Sequence, residues 1–182
     1  MSSGISASSQ MSHSVRGVMV SYYNQEIASI SLDKEYLYRS YSLSIMQKKQ
    51  VVGIPFFALT FDLQTQLGMS HLANRREIDF VEKGIEIALL AGLNLEFSLL
   101  PDIWWLYAGG SIGPQFISRT PSRQASGFIF SDSIYAGTRL GITRRNQFDI
   151  RGGFRHQSNA GFSEPNGGLN SLFIKLGFFS KI

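Results

Sequence analysis

Hydrophobic and polar positions alternate with a period of two along most of this chain. The clearest run is Lys83–Phe97, where Ile85, Ile87, Leu89, Ala91, Leu93, Leu95 and Phe97 oppose Glu86, Asn94 and Glu96. In a β-strand, residues i and i+2 share a face, so such a run has one greasy and one polar side. Tyr36–Met46 repeats the pattern, with Leu37, Tyr41, Leu43 and Ile45 opposite Tyr38, Ser40, Ser42 and Ser44. Further segments are Val51–Leu67, Ile103–Phe116, Phe128–Thr143, Gln147–Asn159 and Leu169–Phe179, and a more weakly patterned one is Val15–Glu26. Several exceed the ~5–6 residues of a soluble strand and match the ~9–11 needed to cross a tilted barrel wall. The pattern predicts an all-β fold, an eight-stranded antiparallel transmembrane β-barrel over residues 15–182, preceded by a Ser-rich flexible segment over 1–14.

Composition supports an apolar exterior. Charged residues are only 16 % of the chain and hydrophobic ones 43 %, with 18 glycines and 14 phenylalanines, against about a quarter charged in an average domain. No apolar run reaches the ~18–20 residues of a transmembrane helix. Ile87–Leu100 is broken by Asn94 and Glu96, and Ile103–Ser118 is diluted by Gly, Ser, Pro and Gln. A membrane span must therefore be made of strands. On the polar side, Glu86, Glu96, Arg139, Arg151, Arg155 and Lys175 are expected to pair inside the barrel.

The net charge of +4 is too modest and scattered for a nucleic-acid protein. Lys48-Lys49 and Arg75-Arg76 read as charge at strand ends, with contact to anionic lipid head groups as the alternative. Trp104 and Trp105 read as an interfacial aromatic belt. The Gly pairs at 109–110 and 152–153 suit barrel packing rather than phosphate loops. Cysteine is absent, which excludes disulfides, a thiol nucleophile and thiolate metal sites. His13, His71 and His156 are dispersed, so no metal site and no cofactor is expected. Residues 1–14 hold seven serines and no apolar stretch, so no secretory signal is visible; a processed or re-engineered form is the expectation.

Candidate chemistry gathers near the C-terminus. Phe148, Ile150, Gly152 and Phe154 share one side of a segment, and His156 and Ser158 continue it. A serine hydrolase needs a nucleophile, a base, a group that orients the base and an oxyanion hole. Ser158 and His156 supply the first two on a greasy face. Asn170 has the parity of Leu172, Ile174, Leu176 and Phe178, so it faces the same side across an antiparallel hairpin. Asn159, Gly161 and Asn166 offer N–H groups to a tetrahedral intermediate, and Pro165 with Gly167-Gly168 suits a shaped turn.

The whole motif, Arg155-His-x-Ser-Asn-Ala-Gly-x-x-x-Pro-Asn-x-Gly-x-Asn170, strongly resembles the PagL family of outer-membrane lipid A 3-O-deacylases. Weaker resemblance covers Trp105-Leu-Tyr-Ala-Gly-Gly-Ser-Ile-Gly113 and Phe130-Ser-Asp-Ser-Ile-Tyr-Ala-Gly137. The resemblance implies an eight-stranded barrel in the Gram-negative outer membrane with its site on the lipid-facing wall. It implies Ser158 as nucleophile and His156 as general base. It implies lipid A of lipopolysaccharide as substrate, cleaved at the 3-position ester to release a 3-hydroxy fatty acid. Outer-membrane lipids are the other expected partners, and a homodimer is left open.

One position departs from the family pattern, which has a glutamate where this chain has Asn170. Glu164, and less definably Asp132, are the alternative acids. Two rival readings remain. One is a catalytically weak or inactive structural or binding barrel of the same fold. The other is a soluble lipocalin-like barrel that holds a lipid inside.

Overall fold

The computed structural model describes residues 14–27, 30–32, 36–74 and 81–182. Ten strands appear: β1 (Ser14–Asn24), β2 (Glu26–Ile27), β3 (Ile30–Ser31), β4 (Tyr36–Ile54), β5 (Phe57–Asn74), β6 (Glu82–Leu100), β7 (Trp104–Ile117), β8 (Gly127–Gly141), β9 (Asn146–Ser158) and β10 (Leu169–Lys181). Eight of them close an antiparallel barrel in the order β1-β10-β9-β8-β7-β6-β5-β4, and β2 with β3 forms a small separate hairpin. No α-helix occurs among the described residues. The Ser-rich segment lies outside the described residues except for Ser14, which already opens β1.

The period-two pattern becomes an inside and an outside. On β4, Ser40, Ser42 and Ser44 are buried while Tyr41, Leu43 and Ile45 stand exposed; on β6, Glu86, Asn94 and Glu96 are buried while Ile85, Ile87, Leu93 and Leu95 are exposed. The barrel is greasy outside and carries its polar groups inside, where they share the space with two apolar clusters, one around Tyr23, Tyr135 and Phe173 and one around Met19, Met46 and Phe179, the arrangement of a strand-built membrane protein. β1 was weakly patterned because Met19 and Tyr23 lie inside while Val18 and Val20 lie outside, so both of its faces carry apolar residues.

Of the expected interior charges Glu86, Glu96, Arg139, Arg151 and Arg155 pair, whereas Lys175 has no carboxylate partner among the described residues and stands over the Tyr23 and Phe173 rings. Glu96 accepts from Lys48 Nζ at 3.0 Å and from Arg139, and Arg151 Nε lies 3.0 Å from Asp149. Arg155 reaches Glu86 at 3.5 Å and also donates to Tyr38, whose hydroxyl donates to Glu86. Burying charge is costly unless it is paired and hydrogen-bonded, and here each carboxylate has several donors or cations around it. These side chains fill the interior. A cavity of about 60 Å³ lies among Lys48, Thr60, Glu96, Trp105 and Arg139. It is too small and too charged for an acyl chain, which removes the support for a lipid held inside.

Three sequence expectations change. Val51–Leu67 is not one strand, because the chain reverses at Pro55-Phe56 between the paired Ile54 and Phe57. Phe56 has φ 70°, a value a turn normally reserves for Gly or Asn. Lys48-Lys49 is not a loop pair: adjacent strand residues face opposite ways, so Lys48 is buried against Glu96 while Lys49 is exposed. Arg75-Arg76 lies outside the described residues. Trp104 stays on the outer wall, donating to Thr138 Oγ1 at 2.8 Å, but Trp105 turns inward, with Arg139 5.6 Å from its ring centre.

The two ends of the barrel differ. One holds the start of β1, the end of β10 and the short turns at 55–56, 101–103 and 142–145; at the other lie the ends of β1, β5, β7 and β9, with the described connections 118–126 and 159–168. Outer-membrane barrels have short periplasmic turns and longer extracellular loops, which orients the chain.

Candidate active site

The site forms where β9 meets β10 at the long-loop end. On β9, Arg151, Arg155 and Gln157 are buried, and the alternate residues Phe154, His156 and Ser158 face outward. On β10, Ser171, Phe173 and Lys175 are buried, while Ile174, Leu176 and Phe178 are exposed and Asn170 shares their face. Asn170 and His156 are direct cross-strand partners. Their side chains meet: His156 Nδ1 lies 2.7 Å from Asn170 Oδ1. With the amide oxygen as acceptor, Nδ1 carries the proton and Nε2 is left with its lone pair, the tautomer of a general base.

The interior holds this piece of wall. Gln157 Nε2 donates to Gln115 Oε1 at 2.9 Å, and Arg155 joins the Tyr38–Glu86 network. The inward residues of β9 thus anchor the backbone that carries His156 and Ser158 outward. Asn170 is held from inside too. β10 pairs with β1 only as far as Asn24–Leu172, so the Asn170 backbone has no strand partner on that side. Tyr36 replaces it: its hydroxyl accepts from Asn170 N at 2.7 Å and donates to Asn170 O at 3.2 Å.

Two long loops brace each other above the site. Ala125 N donates to Pro165 O and Gly167 N to Arg123 O, both at 2.7 Å, around a Gln124–Asn166 bridge. Gln124 Oε1 accepts from Gly168 N at 2.9 Å. Gly168 has φ +68°, and a Cβ there would sit 2.6 Å from His156 Cε1. The glycine is needed twice over, for its backbone angle and because the imidazole lies against it.

The remaining sequence candidates divide. Asn159 is a loop organiser: its Nδ2 donates to Ser163 O and Oγ, its Oδ1 accepts from Gly161 N at 3.0 Å, and its own N donates to Asn166 Oδ1 at 3.1 Å. The Gly161 and Asn159 backbone donors expected for an oxyanion are therefore committed within the loop. Glu164 Oε2 accepts from Asn166 N at 3.2 Å, and its carboxylate makes no contact with His156 in this structure. Asn166 Nδ2 has no acceptor among the described residues, and neither does Ser158 Oγ have a hydrogen-bond partner there. No cluster of potential metal ligands occurs among the described residues.

Asp132 takes a place that sequence spacing could not assign. It is the β8 cross-strand partner of His156, exposed on the same outer face. The imidazole thus stands between Asp132 on β8 and Asn170 on β10. One row further toward the loops, Ser158 pairs with Phe130, whose ring centre lies 5.2 Å from Phe128 and 6.2 Å from Phe162. Phe128 and Phe162 are exposed, so an aromatic patch flanks the serine.

The arrangement can do acyl-transfer chemistry on a lipid that approaches sideways. It offers a hydroxyl, an imidazole of defined tautomer and an apolar approach, all on the wall rather than in a pocket.

The family model described as lipid A 3-O-deacylase (PagL) matches residues 48–179. The crystal structure of the outer membrane enzyme PagL superposes with a TM-score of 0.60 at 19 % identity, covering 90 % of this chain and 97 % of that one. Neisserial surface protein A gives 0.50 at 13 % identity, over 93 % and 96 % of the two chains. Ail of Yersinia pestis, in complex with a heparin analogue, gives 0.50 at 12 % identity, over 94 % and 97 %. At these identities the structures speak for the fold. No curated protein matches the chain in sequence.

Proposed function

The chain belongs to the lipid A 3-O-deacylase (PagL) family of the Gram-negative outer membrane, and we propose that it is itself a serine esterase that removes the 3-O-linked acyl chain of lipid A. The observation that carries this reading is the 2.7 Å contact between His156 Nδ1 and Asn170 Oδ1 on the lipid-facing wall, two residues from Ser158 on the same face.

Lipid A occupies the outer leaflet, and the site lies at the long-loop end, which faces that leaflet. In the proposed reaction His156 Nε2 takes the proton of Ser158 as its Oγ attacks the ester carbonyl. A tetrahedral intermediate forms and collapses, the sugar 3-oxygen leaves with the proton from His156, and the 3-hydroxyacyl group stays on Ser158. Water, activated by the same imidazole, then releases the fatty acid. Asn166 Nδ2 is the oxyanion donor this reading favours, since the Gly161 and Asn159 backbone donors are committed elsewhere.

Asn170 orients the imidazole but brings no negative charge. In a serine protease, changing the triad carboxylate to an amide costs ~10⁴ in kcat. Asp132 supports an answer to that deficit. It sits directly across from His156, so its carboxylate stabilises the imidazolium through space while Asn170 sets the tautomer.

The test is the mass spectrum of purified lipid A after incubation with the barrel. Loss of one 3-hydroxyacyl group, abolished in Ser158→Ala, is the expected result. Unchanged lipid A with well-folded wild type would favour the inactive-barrel reading, and full activity in Ser158→Ala would remove Ser158 from the mechanism.

A further inference from the structure

The outer wall on the other side of the site carries charge in register. Asn24 on β1 pairs with Arg39 on β4, Arg39 with His71 on β5, and His71 with Lys83 on β6. Direct partners in an antiparallel sheet share a face, so these side chains form one outward row. Arg39 and Lys83 are exposed, and neither has an ion-pair partner among the described residues. The same row continues to Leu172 and Phe154, one step below Asn170 and His156.

The wall beneath this row is stratified. The next row is Tyr22, Tyr41, Met69 and Ile85, and the one after it Val20, Leu43, Leu67 and Ile87. Tyr22 and Tyr41 have ring centres 5.0 Å apart, and Tyr41 meets the His71 ring edge-on at 6.3 Å. Cations above tyrosines above aliphatics is the order of a headgroup, an interface and a hydrocarbon layer. Directly under the cations the surface is hollow: a depression of about 610 Å³ is bounded by Val20, Tyr41, Leu43, Leu67, Met69 and Ile85. Charge and cavity therefore coincide, with two cations that have no ion-pair partner among the described residues standing at headgroup depth over an apolar hollow.

We propose that this β4–β6 face is a second half of the substrate site, in which Arg39 and Lys83 bind a phosphate of the glycolipid headgroup and the hollow below takes one of its uncleaved acyl chains. The inference rests on the deacylase reading for the identity of the lipid. A guanidinium suits a phosphate because it presents a fork of donors to its oxygens. The spacing suits a single large lipid. Arg39 lies three strand spacings across from β9, about 14 Å, in the row of Phe154 and so about 13 Å along the strand from Ser158, which puts the two backbones about 19 Å apart. The charges also set an orientation. Asp132 repels phosphate from the β8 side of His156 and the cations attract it on the β4 side, so the headgroup lies across β10 and β1 with its ester edge over β9.

The test uses the full barrel in phosphatidylcholine nanodiscs and two probes, bis-phosphorylated lipid A and the same lipid with both phosphates removed. Kd is read on the Ser158→Ala protein, so that binding is seen without turnover, and kcat/KM on active protein. Wild type should prefer the phosphorylated probe. Arg39→Gln with Lys83→Gln should weaken it about 25-fold, about fivefold for each cation, and leave the dephosphorylated probe unchanged. Arg39→Lys should recover most of the loss, and Lys49→Gln, an outward cation near the opposite end, should do nothing. Equal binding of the two probes by wild type, an unchanged preference in the double variant, or a loss on both probes alike would overturn the proposal. So would a Kd effect with kcat/KM untouched, which would make the bound lipid a bystander, or a preference that vanishes when phosphatidylglycerol is added to the disc. A wild type that binds with the expected preference but cleaves neither probe would sustain this face as a phosphate site and remove the deacylase reading instead.

Discussion

The inside of the barrel and its outer wall near the long loops both place polar groups away from bulk water, and they do so for opposite ends. Inside, Glu96 is shared by Lys48, Arg139 and Thr60, and Glu86 by Tyr38, Gln115 and Arg155. Those carboxylates are ringed by donors and cations and closed off from outside, although Arg139 Nε and Arg155 Nε in the same networks have no hydrogen-bond partner among the described residues. On the wall, His156 has one partner, and Ser158 has none among the described residues. Asp132 sits beside the imidazole without a hydrogen bond. Buried groups that pair their charges build a scaffold; accessible ones, held in place by that scaffold, are available for chemistry. β9 shows both on one strand, Arg155 and Gln157 facing the network while His156 and Ser158 face the lipid.

The division can be broken from either side. The largest expected effect is on the wall. His156→Ala should lower deacylation by at least ~10³-fold, since a catalytic base and its nucleophile act as a unit. It should leave the thermal transition of the barrel in detergent unchanged. A large drop in stability would mean that the imidazole belongs to the scaffold after all.

The inside should behave in the reverse way. Glu96→Leu strands Lys48 and Arg139 without their carboxylate. Breaking a buried pair costs ~3–5 kcal/mol, here with two cations orphaned at once. Denaturant unfolding in detergent should show that loss, while kcat per folded molecule stays near wild type, because Glu96 lies toward the short-turn end. A kcat that falls with stability would show that the interior transmits to the wall.

A smaller effect tests how the two regions are joined. Gly168→Ala pushes a methyl against His156 Cε1 and asks a non-glycine residue to hold φ +68°. Strain of this kind costs ~1–3 kcal/mol, and the nearest group able to yield is the imidazole. Activity should fall with KM little changed, and the His156 ring resonances should shift in an NMR spectrum. Unmoved resonances with unchanged activity would mean that the loop absorbs the methyl without touching the site.

What could be seen in the sequence follows from these same forces. Ser40, Ser42 and Ser44 against Tyr41, Leu43 and Ile45 announce a two-sided strand, because in a membrane the greasy and polar faces cannot be exchanged. The outward parity of His156, Ser158 and Asn170 was visible for the same reason. The hairpin at Pro55-Phe56 was hidden, because Phe56 takes a left-handed backbone angle without the usual glycine, and Val51–Leu59 carries no polar side chain to mark a turn, only Pro55. Trp105 was hidden because aromatic residues serve equally in a belt and inside a barrel. Asp132 was hidden for a different reason. Its position beside His156 is a property of the register between β8 and β9, and register appears only once strands pair.

That register supplies the finest test. Asn170 makes one neutral hydrogen bond to His156, worth ~0.5–1.5 kcal/mol, so Asn170→Ala should lower kcat about threefold to tenfold. Asp132 makes no hydrogen bond to the ring, so any contribution must act through space on the imidazolium. Asp132→Asn keeps the shape and removes the charge, and should lower kcat by a similar or larger factor without disturbing Kd for the substrate. The two residues act on different properties of one ring, tautomer and charge, and because they share that ring the double variant should depart from the product of the single effects. A silent Asp132→Asn beside a severe Asn170→Ala would make Asn170 sufficient alone. A severe Glu164→Gln, with both of the others silent, would mean that the loop swings its carboxylate from Asn166 to His156 when lipid binds. Initial rates of the four variants on purified lipid A, with Kd measured in the Ser158→Ala background, separate these outcomes.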